Sequence, residues 1–420
     1  MPADGGLYVP YNTEDLRKWI LYADETTSFA NLAGTLTSAL INTEFSPIIC
    51  EAISTHAFPF EPVVRQLDEH LFIMELYSGA TGTFKDFGVS YLVNAMETVL
   101  CMQEEKSILL DATTGELGAC MAQVMRGKRL VKSVLIAPKG KFRGLKPEDF
   151  AWNGGNIYPI EVNGTEEDCH DIVRAVFAKR DLIEKYHLTV ANTANIGRLL
   201  PQAFFYTFAF SRIKKIVPGN IFYALAAGNY GNLVSGLLSW RLALPVNGFI
   251  LPSTDNLRTD VSGNAFVMDS MVPLDRRDPI DPSDPSNLER LEDIFNANSL
   301  MLKNFVYPAD VGRADIDAAC KELFVKYNVF ADKDTSSAYA AAKMRASLVE
   351  DDEGAVVLVA RNSPCLDEAF IKSNIGETAE RSPQIDEAFK SVKIGKPVIE
   401  KDDFDYIISV LNSLNLLRIF

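Results

Sequence analysis

The stretch "YSGATGTFKDFGVSYL", Tyr77 to Leu92, decides the reading of the fold. Small residues (Gly79, Ala80, Gly82) lead into one lysine, Lys85, bracketed by Phe84 and Phe87. Lysine ordinarily runs its stem along the surface and keeps its ammonium in water. Among apolar neighbours its pKa falls, and the amine can serve as nucleophile or base. The two phenylalanines are expected to keep the Lys85 amine dry.

Working outward, the pattern differs on the two sides of this stretch. Up to about residue 70, "TEDLRKWILYA" and "FANLAGTLTSALI" carry apolar residues at helical spacing. From Leu71 short apolar runs alternate with small-residue loops and helices. "KSILLDATTGELGACMAQVM" and "NIFYALAAGNYGNLVSGLLSWRLAL" each read as strand, loop and helix. "KSVLIAPKG", "NIYPIEV", "VNGFILPSTD" and "EGAVVLVARNSP" supply further strands. "EEDCHDIVRAVFAKRDLIEKY" reads as one amphipathic helix and "LLPQAFFYTFAF" as a buried one. Strands alternating with helices predict an α/β fold with parallel sheets covered on both faces. The Pro- and Asp-rich "MVPLDRRDPIDPSDPSNLERL" reads as an ordered surface excursion.

The 420 residues suffice for two or three domains. A net charge of −15 argues against a nucleic-acid or anionic-membrane surface, and it requires a local cationic site for any anionic substrate. Six cysteines without a CxxC pair read as reduced intracellular thiols, and four isolated histidines give no zinc spacing. No stretch approaches the length of a membrane span or has a signal-peptide pattern, so a cytoplasmic protein is expected.

Ligands of open parallel sheets bind beyond the carboxyl ends of the strands. Four loops there carry chemistry. "AAGNYGN", Ala226 to Asn232, offers backbone N–H groups and a helix N-terminus, which suits a phosphate; a tight turn needing glycine explains it equally. It is neither a Walker A loop nor GxGxxG. In "ATTGELGA", Thr113, Thr114 and the backbone at Gly115 can hold a carboxylate, or Thr114 merely caps a helix with Glu116 in its first turn. "ANTANIGRLLPQ" gathers Asn192, Thr193, Asn195 and Arg198, a natural anion clamp or a capped helix start. The fourth is Lys85 itself. A reactive lysine, a phosphate cradle and a partner for a ring nitrogen are what pyridoxal phosphate needs.

In this combination the chain resembles the threonine synthases, members of the fold type II family of pyridoxal-phosphate enzymes. "ADGGLYVP" resembles the family's N-terminal signature, which it reaches after a leading segment. "GTFKDFG" resembles its cofactor-lysine motif and assigns that role to Lys85, with Phe84 beside it. "ATTGELGA" resembles the ATSGDTGA substrate loop, and "NTANIGRLLPQ" its Asn-Ser-x-Asn helix start. "AAGNYGN" resembles the phosphate loop GNFGN, assigning cofactor binding to Gly228, Asn229, Tyr230, Gly231 and Asn232. The resemblance implies a tryptophan synthase β-like architecture. Residues 1–70 would form a mostly helical segment, 71–92 with 185–420 the large cofactor domain, and 93–184 a smaller α/β domain with the substrate loop. It implies conversion of O-phospho-L-homoserine and water to L-threonine and phosphate. Thr113 and Thr114 would hold the substrate carboxylate, Asn192, Thr193 and Arg198 would help bind its phosphate, and Gly115, Glu116 and Asn195 would also serve the substrate. A related lyase for another phosphorylated amino acid, and a family member without catalysis, are the alternatives.

The chain departs from the family in three places. Where the family has a Ser/Thr-Ala-His-Pro loop whose hydroxyl meets the pyridine nitrogen, this chain has "ARNSP", with Arg361 at the hydroxyl position. Arginine only donates, so it would leave that nitrogen unprotonated and weaken the electron sink; Ser363, two residues on, can take over if the loop shifts, or Arg361 points outward or toward an anionic substrate group. Glu116 and Leu117 replace the usual Asp and Thr. "DKDT", Asp332 to Thr335, replaces Asp-Pro-His-Thr.

Overall fold

The computed structural model of the chain describes residues 2, 5–10, 14–41, 43–113, 115–262, 264–267, 276, 279–295, 302–349 and 353–415. Apolar runs become strands of two sheets. The larger contains β1 (Val63–Gln66), β2 (Leu71–Glu75), β7 (Ile221–Ala224), β8 (Gly248–Pro252), β11 (Val306–Ala309) and β12 (Ala355–Ala360), in the order β1-β2-β12-β7-β8-β11. Every neighbouring pair in it is parallel except β1–β2. The smaller contains β3 (Ser107–Ala112), β4 (Val131–Pro138), β5 (Ile157–Val162) and β6 (Leu188–Thr189), all parallel, in the order β5-β4-β3-β6. A hairpin of β9 (Leu257–Thr259) and β10 (Ala265–Val267) stands apart. Both β3 and β12 are buried along their whole length, which is why they read as unbroken apolar runs and not as alternating ones.

Helices Arg17–Tyr22, Phe29–Leu40 and Pro47–Ala57 precede the first strand. Their Phe29, Leu32, Leu36 and Ile53 join one core with Phe204, Phe205 and Phe208 of the helix Ala203–Ile213, the buried helix expected from its sequence. The stretch Glu166–Tyr186 is two helices, Glu166–Phe177 and Arg180–Tyr186, not the expected one. The break at Lys179 lets Leu182 and Tyr186 turn into the same core as Ile172 and Val173. The smaller unit also reaches beyond the expected 93–184. It takes in β6, and the helix Phe404–Asn415 lays Ile407, Val410, Leu411 and Leu414 against Ile108 and Val134. A four-stranded sheet needs an apolar cover on each face, and the C-terminal helix supplies part of one.

The helix Lys85–Gln103 joins the two units. Phe87 and Tyr91 enter the large core, and Val89, Leu92 and Val93 enter the core of the smaller sheet. The adjacent strands β2, β12 and β7 each lead, at their carboxyl ends, into one of the loops singled out by sequence. Among the described residues no helix is long and apolar enough to cross a membrane.

Candidate active site

Lys85 is the first residue of its helix. The turn before it is fixed by Asp86, a buried carboxylate that accepts from the Thr81 N–H at 2.8 Å, the Thr81 hydroxyl at 2.9 Å and Cys120 Sγ at 2.9 Å. Burial pushes the Asp86 carboxyl up. The small residues of the motif serve this turn. A Cβ at Gly79 would come within 2.4 Å of Asp86 Oδ2, and Gly82 is left-handed at φ +65° with Ile385 and Ser363 closing on it. Phe84 ties the turn to β12 by donating its N–H to the Arg361 carbonyl at 2.8 Å.

The two phenylalanines separate. Phe84 lines a cavity of about 420 Å³ together with Lys85. Phe87 is fully buried in the aromatic core beside Phe29, Phe60 and Phe205, so it does not screen the amine as expected. Nor is the amine in a dry setting: the Lys85 side chain is 32% exposed, and Nζ pairs with the Glu116 carboxylate.

Glu116 opens the helix Glu116–Val124 at the end of β3. Thr113 Oγ1 accepts from the N–H groups of Gly118 at 2.9 Å and Gly115 at 3.3 Å; Thr114, the expected cap, lies outside the described residues. A second cavity of about 540 Å³ borders this loop and is lined by Thr113, Gly115, Arg143 and Phe389. Lys85, Glu116 and Leu117 line both cavities and form the wall between them.

On the other wall, Asn192 donates to the Pro282 and Ser283 carbonyls at 2.8 and 3.1 Å, and Thr193 Oγ1 accepts from Asn229 and Asn287, both at 3.0 Å. Asn195 caps a short helix and donates to Thr189 and Val190; it lines neither cavity. Arg198 is 3% exposed. It packs so closely on Gly88 that a Cβ there would meet its Nη1 at 1.9 Å, and its Nε and Nη1 find no partner among the described residues. Burial lowers its pKa to about 10, with Cys120, Asp86 and Asp111 opposing, so it stays a cation at neutral pH.

The loop after β7 turns at Gly228 (φ +50°) and Tyr230 (φ +63°) into the helix Gly231–Arg241. Asn229, Gly231 and Asn232 line the 420 Å³ cavity. Asn229 Oδ1 accepts from the Gly231 N–H at 3.2 Å, and Asn232 donates to Gln202 at 2.8 Å. The Tyr230 hydroxyl bonds Thr254 instead, and Tyr230 is not a lining residue. Beyond β12, Arg361 lies over the Phe84 ring and pairs with Asp334. Ser363 does not take its place in the cavity: its hydroxyl lies 3.1 Å from Cys365 Sγ. Sequence reasoning did not single out Gln202, Asn362 or the segment Ser283–Pro285 as lining residues. The last was legible only as a Pro- and Asp-rich excursion.

No protein-family model matches the chain. Threonine synthase of Haemophilus influenzae is 32% identical over 177 residues, and that of Buchnera aphidicola subsp. Acyrthosiphon pisum 35% over 179. These matches take in 42 and 40% of this chain, and the chain spans only 41 and 42% of the relatives' lengths. Structural likeness is wider. The threonine synthase of Escherichia coli superposes with a TM-score of 0.76 at 24% identity, covering 98% of this chain and 94% of that one. The pyridoxal-phosphate-bound threonine synthase of Brucella melitensis gives 0.79 at 18%, covering 99 and 94%. The chain has the fold of the threonine synthases, fold type II of the pyridoxal-phosphate enzymes, and is similar to them in sequence over two fifths of its length.

Proposed function

We propose that the protein is a pyridoxal-phosphate-dependent threonine synthase, converting O-phospho-L-homoserine and water to L-threonine and phosphate. The observation that carries this reading is the convergence of Lys85, the Asn229–Asn232 turn and the buried Arg198 on one cavity. The donor set fits the cofactor: an amine for its aldehyde and a helix N-terminus behind a left-handed glycine for its phosphate. The buried Arg198 guanidinium, with two nitrogens unpartnered among the described residues, remains for the substrate. When bound, the cofactor supplies a ring that takes up the electrons freed as protons leave the substrate carbons.

Lys85 would hold the cofactor through its amine, and the same Nζ would carry protons to and from the substrate carbons. Glu116, already on Nζ, steadies the ammonium between transfers. The Thr113 hydroxyl accepts from the Gly115 and Gly118 N–H groups and keeps its own proton to donate, so with the N–H groups of Glu116 and Leu117 that open the helix Glu116–Val124 it would hold the substrate carboxylate. Asn192 and Thr193 already have partners, which leaves Arg198 as the main charge for the substrate phosphate. A cytosolic enzyme of amino-acid biosynthesis, with a small phosphorylated amino acid as its partner, goes with this reading.

The test incubates cofactor-loaded protein with O-phospho-L-homoserine. Phosphate and threonine released in equal amounts are expected, with loss of both the visible absorption band and turnover in Lys85→Ala. Keto acid and ammonia in place of threonine would identify a phospho-lyase. A wild type with no absorption band and no product would identify a non-catalytic member.

A further inference from the structure

Arg361 is the side chain that fits the family pattern least, and its surroundings say what it does. It follows β12 directly, between β2 and β7, with its side chain 12% exposed. The guanidinium turns to the Gly228–Asn232 loop. A Cβ at Gly228 would come within 2.8 Å of Nη1, and Nη1 lies 3.5 Å from Asn232 Oδ1. Cζ stands 5.4 Å from the centre of the Phe84 ring, and Nη2 pairs with Asp334 in the first turn of the helix Lys333–Met344. Nε is buried without a partner among the described residues. The planar cation thus lies against the left-handed glycine at the N-terminus of an 11-residue helix, where two sources of positive potential face one point. Arg198, buried and carrying two unpartnered nitrogens, lines the same cavity. Glu116, Asp284 and Asp334 line the cavity too, with Glu116 on Lys85 and Asp334 on Arg361, so the N–H groups left over for an anion are those that Arg198 and Arg361 keep without a partner among the described residues.

We infer that Arg361 is a phosphate-binding residue, its guanidinium and the N–H groups opening the helix Gly231–Arg241 together holding a phosphate monoester at the Gly228–Asn232 turn, with Asp334 positioning the guanidinium. The identity of the ester as the cofactor rests on the proposed function. Arg361 then serves the phosphate and not the ring nitrogen, whose partner in the family is a hydroxyl.

The test compares wild type, Arg361→Gln, Arg361→Lys and Asp334→Asn for binding of pyridoxal phosphate, pyridoxal and inorganic phosphate by tryptophan fluorescence and calorimetry. One charge-assisted contact predicts a loss of about tenfold or more in Arg361→Gln for the two phosphate-bearing probes. Pyridoxal binding should be unchanged, Arg361→Lys should restore part of the loss, and Asp334→Asn should lose less than Arg361→Gln. Equal losses for pyridoxal and its phosphate, or no loss, overturn the inference, as do matching effects of Arg361→Gln and Asp334→Asn confined to melting temperature. A raised KM for O-phosphohomoserine with unchanged cofactor affinity gives Arg361 to the substrate and overturns the inference as well. Arg361-dependent binding of inorganic phosphate by a protein that takes up no cofactor would sink the proposed function and leave this inference standing. Binding of neither by the wild type ends both.

Discussion

Phe84 and Phe87 flank Lys85 in sequence and face different surroundings. Phe87 meets Phe29 at 5.3 Å, Phe60 at 4.8 Å and Phe205 at 4.9 Å between ring centres, edge to face. Such contacts add to the burial of a large apolar side chain. Phe84 is partly buried, and its ring carries Arg361 at 5.4 Å and Arg198 at 5.9 Å. The two truncations should therefore divide. Phe87→Ala is expected to cost about 3–5 kcal/mol in urea unfolding. Cofactor affinity of the protein still folded should change little. Phe84→Ala should cost markedly less stability and weaken pyridoxal-phosphate binding, since it removes the surface under both guanidinium groups. Similar stability losses for the two would contradict the assignment of Phe87 to the core and Phe84 to the cavity.

At the scale of elements, the turn between β7 and the helix Gly231–Arg241 depends on Gly228. Its φ of +50° is strained for any residue with a Cβ, and the added atom would also displace Arg361. Gly228→Ala should cost about 1–2 kcal/mol from the left-handed backbone alone. It should also weaken binding of inorganic phosphate, measured by calorimetry, because the guanidinium must move. Full phosphate affinity in that variant would remove the turn from the site. This loop was legible in the sequence through Gly228, which takes a left-handed turn that Tyr230, a residue with a Cβ, also adopts at φ +63°. The strands β3, β7 and β12 were legible as apolar runs buried on both faces. Side-chain direction was not legible. Nothing in "GTFKDFG" says which phenylalanine joins the core, and nothing in "ARNSP" says that Arg361 turns to Gly228 and Asp334, because neighbours distant in sequence decide both. The docking of the helix Phe404–Asn415 on the smaller sheet was hidden for the same reason.

At the scale of the whole molecule, Asp111 couples the smaller sheet to the cavity wall and puts a pH dependence into the fold. It lies fully buried next to the last residue of β3, and its two oxygens accept from the Ala191 N–H at 2.9 and 3.0 Å, holding the loop that leads through Asn192 and Thr193 to the short helix of Arg198. Burial raises its pKa from 3.8 to about 7, against hydrogen bonds from Ala191 and Asn192 and the nearby Arg198 charge, which all lower it. The folded value lies above the unfolded one. The stability that Asp111 contributes is therefore fully present below about pH 4 and is lost as pH rises through 7. Within that window the loss approaches about 1.4 kcal/mol for each pH unit. Asp332, raised to about 6 by burial, acts in the same direction. Asp111→Asn keeps an acceptor for the Ala191 N–H and removes the titration. Its melting temperature should match or fall below that of the wild type at pH 5 and exceed it at pH 8. A difference between the two proteins that stays constant from pH 5 to 8 would mean that Asp111 ionises in the fold as it does in the unfolded chain. The hydrogen bonds to Ala191 would then contribute equally at every pH in that range, and the pH dependence of the fold would have to come from other groups.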